Sequence, residues 1–354
     1  MKRRAWGLVV GNAVLMGVLA VICSRSLGYP LRDPDGILGP AWVRFPLLVG
    51  GAFLADVIPR TLWRSRLRPD QFKAQATLVV REHWTRDRIQ LVIVGLVAFY
   101  VTYVSYRNLK NFLPLIRTLP DGKPLTYDNE LHKLDQALLF GHDPAIVLHH
   151  LLGTGASAYV LSWIYLIFLP MVPIMVIVWV VWSRNVSFGY WFVTADCLAW
   201  SLGTLSYYLI PTLGPNFEFF APYKDLPPTG VASLQNSLIY GRKTLHFDPF
   251  LNGVQSIAGF ASLHVALTLM MALVAQYTLR HRLVKIVLWV YVVLVAISTT
   301  YFGWHYIADD IAGAAIAVVS FYLGALATGQ KFDRRGRSSH PTTTTGNVPV
   351  EIES

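Results

Sequence analysis

The stretch that decides the fold is residues 286–328, which read IVLWVYVVLVAISTTYFGWHYIADDIAGAAIAVVSFYLGALAT. It contains two apolar runs, Ile286–Trp304 and His305–Thr328, and its only charged side chains, Asp309 and Asp310, lie just past their junction. Each run is close to the roughly 20 residues that an α-helix needs to cross a bilayer. The sequence therefore predicts two consecutive membrane-spanning helices, with ionisable side chains where they meet.

Similar apolar runs recur along the rest of the chain. Six further segments are long enough, or nearly so, to span a bilayer. They are Trp6–Ser24, Arg44–Pro59, Ile89–Tyr106, Leu151–Ser183, Phe188–Leu209 and Ile257–Leu279. The first follows a short basic segment without a small-residue cleavage site, so we expect an uncleaved anchor. The predicted fold is an all-α, polytopic membrane helix bundle with about eight transmembrane helices.

The composition agrees with a membrane protein. Of the 354 residues, 54% are hydrophobic and 14% are charged, whereas a soluble domain carries about 25% charged residues. This excludes an ordinary cytosolic enzyme and a disordered or fibrous chain. A net charge of +10 suits nucleic-acid binding, but 19 of the 30 Lys and Arg residues fall on one side of the predicted bundle. The positive-inside rule accounts for that bias, places both termini in the cytoplasm and makes a nucleic-acid partner unnecessary.

Three parts are predicted along the chain. Residues 1–85 hold two N-terminal transmembrane helices and a basic cytoplasmic loop, residues 86–330 form a six-helix catalytic core with two extracytoplasmic loops, and residues 331–354 are a disordered cytoplasmic tail. In the first long loop, the apolar spacing of Tyr127–His150 predicts one or two amphipathic helices on the membrane surface. The second, Pro211–Ser256, is rich in proline and is expected to be irregular.

Three ionisable side chains converge in this topology. His264 lies near the start of the sixth span, and His305 and Asp309 lie where the seventh meets the eighth, so all three are expected at the extracytoplasmic face. Four residues along a helix place Asp309 about one turn from His305, where a carboxylate can hold the Nδ1 proton and leave Nε2 as a nucleophile. Attack on a phosphoryl group would give a phosphohistidine, and His264 could protonate the leaving alkoxide. Ser262 lies near a helix N-terminus, where backbone N–H groups favour an anion.

These residues resemble two motifs of the type 2 phosphatidic acid phosphatase superfamily. Its Ser-Gly-His motif is matched by Ser262-Leu263-His264, with Leu in place of Gly. Its Ser-Arg-x5-His-x3-Asp motif is matched by Ser298, His305 and Asp309, with Thr299 in place of Arg. The resemblance implies a six-helix phosphatidic acid phosphatase-like core and extends over about residues 89–328.

The leucine at position 263 and the absence of arginine at position 299 are both similar to the inositol phosphorylceramide synthase branch, the inositolphosphotransferases. Members of that branch also place two helices before the six-helix core. The segments Tyr106–Lys110 and Pro211–Pro215 resemble that branch too. The resemblance implies that His305 is the nucleophile, Asp309 its orienting carboxylate and His264 the acid and base. It implies that Ser262 is a phosphate ligand.

A positive group that clamps the phosphate must come from elsewhere, because the family's arginine is missing. Arg107 and Lys110, three residues apart at the outer end of the third span, are the first candidates. Lys224, Arg242 and Lys243 are the second. The alternative for the first pair is a snorkelling interfacial pair, and for the other three it is ordinary loop charge.

Other polar residues carry no assigned chemistry. Asp196 lies in the middle of a span, where it either pairs within the bundle or lines a cavity. His132, His149 and His150 could suggest a metal, but no third ligand at a suitable spacing is evident. We expect neither a metal nor a cofactor, because a covalent histidine step needs none.

The sequence thus favours an integral membrane phosphotransferase acting on lipid phosphate esters, with transfer of inositol phosphate or a similar headgroup, in the plasma membrane. The donor would be a phospholipid or a polyprenyl phosphate, and the acceptor a hydroxylated lipid or water. If water is the acceptor, the enzyme is a lipid phosphatase acting on phosphatidic acid or on a polyprenyl phosphate or pyrophosphate. Two other classes stay open: a transporter with a proton relay, which is disfavoured because the polar cluster lies at one face, and a non-catalytic binding or scaffold protein.

Overall fold

The computed structural model describes residues 5–34, 41–183, 185–247, 257, 259–330 and 332, with the backbone alone for residues 41–42 and 241–247. Within these residues the regular structure is helical. The α-helices are α1 Gly7–Leu27, α2 Ala41–Arg64, α3 Pro69–His83, α4 Arg86–Ile116, α5 Asp128–Leu138, α6 Pro144–Leu152, α7 Ala156–Trp182, α8 Val186–Leu209, α9 Pro215–Glu218, α10 Gly230–Phe247, α11 Leu263–Thr278, α12 Arg282–Tyr301 and α13 Ile307–Ala327. The predicted tail, residues 331–354, lies outside the described residues apart from Phe332.

All eight predicted spans are occupied by helices. Among the described residues, six helices are long and apolar enough to cross a membrane: α1, the Val43–Arg64 part of α2, α4, α7, α12 and α13. These confirm the all-α polytopic membrane fold. The other two spans correspond to α8, with 24 residues, and α11, with 16 residues. α11 begins at Leu263, later than the apolar run that starts at Ile257, because Ser262 caps its N-terminus.

α8 occupies the centre of the bundle. It packs against α1, α4, α7, α11 and α13, and its Trp191, Phe192 and Cys197 are completely buried. Close approach to α13 depends on Gly324, because a Cβ added there would lie only 3.1 Å from the Cβ of Ala195. The core therefore lies around α8, and the remaining helices surround it.

At one end of the bundle, which we call the basic end, α2 ends, α3 follows and α4 begins. Asp56 of α2 accepts a hydrogen bond from Trp84 Nε1 at 2.9 Å and pairs with Arg60 at 2.7 Å. Arg88 of α4 donates to the backbone oxygens of Val180 at 3.1 Å and Ser183 at 2.6 Å. The basic segment predicted as a loop therefore contains a helix, α3, and is tied to the bundle by buried polar contacts.

At the opposite end, which we call the loop-rich end, lie α5, α6, α9 and α10. Of the one or two helices predicted within Tyr127–His150, the structure has two, α5 and α6. The expectation of an irregular second loop is wrong for Gly230–Phe247, which forms α10. Val231, Leu234 and Leu238 recur at helical spacing there, and the backbone N–H of Val231 donates to Ser162 Oγ of α7 at 3.2 Å. Residues 230–247 thus form a helix because their apolar stripe packs on α7, although the preceding residues are rich in proline.

Candidate active site

The N-terminal ends of α11 and α13 position the two histidines and Asp309. The hydroxyl of Ser262 accepts from the backbone N–H of Val265 at 3.4 Å, which places His264 in the first turn of α11. His305 lies in the link between α12 and α13, four residues before Asp309. Asp309 Oδ2 accepts from the backbone N–H of Tyr306 at 3.0 Å and so caps α13. Helix starts therefore fix the backbone around both histidines.

The three predicted catalytic side chains form a continuous chain of contacts. His305 Nδ1 lies 3.3 Å from Asp309 Oδ2, and His264 Nδ1 lies 3.0 Å from His305 Nε2. Asp309 is fully buried, and His305 is 4% exposed. An ionised carboxylate can only accept a hydrogen bond, so His305 Nδ1 is the donor and Nε2 carries the lone pair. His264 Nδ1 then donates to that lone pair in this structure, and this contact has to open before Nε2 can act as a nucleophile.

Close packing of α13 against the start of α11 brings these groups together. The backbone N–H of Ser262 donates to the backbone oxygen of Asp309 at 2.9 Å. One turn further along α13, Gly313 lies directly against the Ser262 carbonyl, and a Cβ at that position would collide with it. A glycine at position 313 thus permits the approach that places His264 beside His305.

Two other motif positions have local partners. Ser262, predicted as a phosphate ligand, is fully buried and caps its own helix. Thr299, which stands where the family has arginine, is also fully buried, and its hydroxyl lies 3.2 Å from Asp310 Oδ2. The position of the family's arginine therefore contributes no cation to the site.

His264 and His305 line a cavity of about 420 Å³, which we call the histidine cavity. Its other walls come from α2, α4, α7, α8, α10 and the residues that precede α9 and α11. Most lining side chains are apolar or aromatic; they include Phe45, Leu48, Leu96, Phe99, Tyr103, Phe168, Val172, Ile177, Trp200, Leu213, Leu234, Leu238 and Ile257. The two imidazoles are thus polar groups in a mainly apolar cavity.

Arg107 and Lys110 line the same cavity. Lys110 Nζ lies 5.8 Å from the ring centroid of Tyr106 and 5.6 Å from that of Tyr207. The guanidinium of Arg107 lies 5.9 Å from the ring centroid of Tyr103. Lys110 Nζ donates to the Tyr106 hydroxyl at 3.5 Å, and Arg107 Nη1 donates to the Tyr103 hydroxyl at 3.2 Å, so these tyrosines hold both positive groups at the cavity. The structure thereby brings the two first-choice phosphate candidates to the histidines.

The second-choice candidates are placed differently. Lys224 is exposed and is not among the residues that line the histidine cavity. Arg242 and Lys243 fall within α10, but their side chains lie outside the described residues. Of the five basic candidates, only Arg107 and Lys110 are therefore placed at the site by the described side chains.

An aromatic wall around His264 was not predicted from the sequence. The His264 ring centroid lies 4.8 Å from that of Tyr165 and 4.6 Å from that of Phe168. Tyr165 in turn stacks on Trp304, with ring centroids 5.2 Å apart. Aromatic residues in apolar segments usually indicate lipid-facing or interfacial positions, so only the proximity of α7 to α11 reveals this wall.

The remaining polar residues have partners elsewhere or lie inside the bundle. His149 Nε2 lies 2.9 Å from the backbone oxygen of Tyr301, and burial lowers the pKa of His149. His132 stacks on Phe219, with centroids 4.2 Å apart. Asp196 is fully buried in α8, one turn before Trp200. None of these three side chains lines the histidine cavity.

Comparison with known proteins agrees with the two motifs. A model of the PAP2 superfamily matches residues 129–323, more than half of the chain, and this region contains both histidines and Asp309. The chain therefore belongs to the PAP2 superfamily, as the type 2 phosphatidic acid phosphatase motifs predict. Membership indicates phosphatase or phosphotransferase activity on phosphate esters. No curated protein and no solved structure matches the chain.

Proposed function

We propose that this protein is a membrane phosphotransferase that moves inositol phosphate, or a similar headgroup, from a lipid phosphate ester to a hydroxylated lipid. The observation that carries the proposal is the position of the His264–His305–Asp309 chain in an elongated, mainly apolar cavity. A reactive polar group beside an apolar chain-binding space suits a lipid whose phosphate must reach an imidazole.

The reaction proceeds in two balanced half-steps. His305 Nε2 attacks phosphorus, the P–O bond to the leaving lipid alcohol breaks, and His264, entering the step as the imidazolium, donates a proton to the leaving oxygen and becomes neutral. In the second half-step, His264 takes the proton of the acceptor hydroxyl, whose oxygen attacks phosphorus while the P–N bond breaks. Asp309 holds the Nδ1 proton of His305 and stabilises the positive charge that the ring carries in the phosphohistidine.

The length of the histidine cavity supports a lipid substrate. Along α4 its lining residues extend from Lys110 to Leu96, which corresponds to about 21 Å at the helical rise per residue. Along α7 they extend from Tyr165 to Ile177. A space this long beside two membrane-spanning helices matches a hydrocarbon chain lying roughly parallel to the bilayer normal.

Lys110 and Arg107 are proposed as the phosphate clamp in place of the family's arginine. Both line the cavity of the histidines, and each donates a hydrogen bond to a tyrosine hydroxyl. A cation that is already held in place loses little side-chain freedom when a phosphate binds. Ser262, predicted as a phosphate ligand, does not line the cavity; its proposed contribution is to cap α11 and so hold His264 in the first turn of that helix.

Two features favour a lipid acceptor over water. His305 is 4% exposed, and the aromatic wall covers His264, so bulk water has little access to the reacting atoms. Leu263 and Thr299 also depart from the phosphatase motifs in the same way as the inositolphosphotransferase branch. We therefore favour transfer to a lipid over hydrolysis. Release of a free phosphate ester in the absence of a lipid acceptor would indicate hydrolysis instead.

The membrane orientation belongs to the same proposal. The basic end of the bundle carries α3 and the start of α4, with most of the Lys and Arg residues that flank the membrane. The positive-inside rule assigns that end to the cytoplasm. Both chain termini would then be cytoplasmic and the histidine cavity extracytoplasmic, in a plasma membrane.

A product assay tests the function. Purified protein in mixed micelles receives a panel of labelled phospholipids and polyprenyl phosphates, with and without hydroxylated acceptor lipids, beside His305→Ala and the matched control His150→Ala, whose side chain is exposed. A new labelled lipid that requires acceptor, is lost in His305→Ala and is kept in His150→Ala supports the transferase. Product without acceptor indicates a phosphatase, and no turnover in any pairing contradicts both.

A further inference from the structure

Two carboxylates of α5 lie buried beside the active site, and the reaction as proposed does not use them. Asp128 and Asp135 are each 1% exposed. They are seven residues apart, which is about two helical turns, so they share one face of α5 with Leu131 between them. Burying an acid is costly unless its oxygens are satisfied, so the partners of these side chains indicate what they do.

Asp128 binds the loop that precedes α9 and the loop that carries His305. Its Oδ1 accepts from the backbone N–H groups of Leu213 at 3.0 Å and Gly214 at 2.9 Å. The same oxygen accepts from the hydroxyl of Tyr306 at 3.0 Å. Tyr306 is the residue next to His305, so one oxygen of Asp128 joins two segments that are about 90 residues apart in the chain.

The loop held by Asp128 touches the backbone beside both histidines. On the His264 side, Thr212 accepts from the N–H of Gly259 through its carbonyl and from that of Phe260 through its hydroxyl, both at 2.9 Å. On the His305 side, the N–H of Asn216 donates to the carbonyl of Gly303 at 2.8 Å. Residues 212–216 therefore bridge the segments that lead to the two imidazoles.

Asp135 holds the start of α13. Its Oδ2 accepts from the backbone N–H of Ile307 at 2.9 Å, and its Oδ1 accepts from that of Ala308 at 3.3 Å. These are two of the N–H groups that a helix leaves unsatisfied at its N-terminus. They lie between His305 and Asp309, so Asp135 fixes the turn that sets the contact between the imidazole and its carboxylate.

We propose that Asp128 and Asp135 are positioning residues of the transfer reaction. Through them, α5 sets the distance between His264 and His305 and the orientation of Asp309 toward His305. The inference rests on the proposed function, because a positioning residue needs a reaction. Its physical basis is that small misplacements of reacting groups cost large factors in rate: an error of 1 Å costs about 100-fold. The carboxylates act through backbone N–H groups and Tyr306, without touching the substrate.

Kinetics of four variants test this role: Asp128→Ala, Asp128→Asn, Asp135→Ala and Tyr306→Phe. Glu130→Ala is the matched control, because Glu130 is an exposed acid on the same helix. We expect Asp128→Ala and Asp135→Ala to lower kcat by about 100-fold while KM changes less than about threefold. Asp128→Asn should restore part of kcat, because an amide oxygen at the Oδ1 position keeps its three donors while the contact of Oδ2 with the Leu213 N–H at 3.0 Å is lost, and Tyr306→Phe should show a smaller loss.

A second measurement separates this inference from the proposed function. Amide hydrogen exchange of residues 303–309 needs no substrate, and the inference predicts faster exchange there in Asp128→Ala than in wild type and Glu130→Ala. If wild type shows no turnover but exchange changes as expected, the proposed function fails and the structural tie stands. An unchanged kcat in Asp128→Ala, or equal losses in Asp128→Ala and Asp128→Asn, would overturn the positioning role. Tyr306→Phe, which removes one hydroxyl, supplies the same test if the alanine variants do not fold.

Discussion

Tyr165 of α7 lies parallel to Trp304, with an interplanar angle of 6° and ring centroids 5.2 Å apart. Trp304 immediately precedes His305 in the chain, and Tyr165 also contacts the ring of His264. The Tyr165–Trp304 pair therefore contacts the ring of His264 and directly adjoins His305 in the chain. It is well placed to hold the rings and, in the proposed reaction, to keep water from a phosphohistidine.

Removing this pair should turn transfer into hydrolysis. We expect Tyr165→Ala to lower transfer by about 10–100-fold, because water and side-chain motion disturb the reacting geometry, and to raise the fraction of product formed with water. Tyr165→Phe keeps the stack and should stay close to wild type. The measurement is the ratio of lipid product to released phosphate ester. An unchanged ratio in Tyr165→Ala would show that the pair does not exclude water.

Lys110 should bind the phosphate in both the ground state and the transition state. Lys110→Met keeps the length of the side chain and removes its charge, so we expect kcat/KM to fall by about 10–100-fold, the value of one charge-assisted hydrogen bond. Lys123→Met is the control, because the Lys123 side chain is 78% exposed in a turn outside the cavity. Equal values of kcat/KM for the two variants would show that Lys110 does not bind the phosphate.

The part of the histidine cavity remote from the histidines should select chain length. Val172 of α7 lines the cavity about two helical turns beyond Tyr165, and Val172→Phe fills space there, so lipids with long chains should lose more activity than lipids with short chains. The readout is the ratio of rates for two chain lengths, which a partial loss of folded protein leaves unchanged. Val160→Phe on the same helix adds the same bulk at an exposed position and should leave the ratio as it is. A parallel loss at both lengths would contradict the assignment of this space to the chain.

Asp135 should make stability depend on pH. Burial raises its pKa to about 6, from an ordinary value of 3.8. Because the folded-state pKa is the higher one, the folded protein keeps this proton where the unfolded chain has lost it. The resulting stabilisation is complete below about pH 3.8 and is lost as the pH rises through about 6.

The measurement is the difference in Tm between wild type and Asp135→Asn at several pH values. Wild type should lose Tm relative to the variant between about pH 4 and pH 7. Glu130→Gln, which replaces an exposed acid, should track wild type across that range. A constant difference between wild type and Asp135→Asn would mean that Asp135 does not titrate in this window.

The membrane helices could be predicted because hydropathy is a local property of the chain. The short helix α9 and the longer helices α3 and α10 could not. α3 carries charged residues near both ends, and α10 follows a proline-rich segment, so both resemble loops until their packing partners are known. The late start of α11 has a similar origin: the apolar run begins at Ile257, but the helix begins only after the cap at Ser262.

The core of the candidate site was predictable for a different reason. Once His264 and His305 are placed at the same face of a bundle, topology alone brings them near each other, and the four-residue spacing adds Asp309. The roles of Asp128 and Asp135 were not predictable, because acids on an amphipathic surface helix are normally solvated. Their partners are backbone N–H groups more than 80 residues away in sequence, at Leu213 and Ile307.

Leu48 and Leu169 line the histidine cavity while each is 48% exposed on the outside of the bundle. The proposed lipid substrate would enter the cavity along these helices from the surrounding hydrocarbon. Its mole fraction in the membrane would then determine how far the enzyme is saturated, and its molar concentration in the whole sample would not. Dilution with inert lipid at constant total substrate should therefore slow turnover. The lipid composition of the leaflet would then help to set the rate of the reaction.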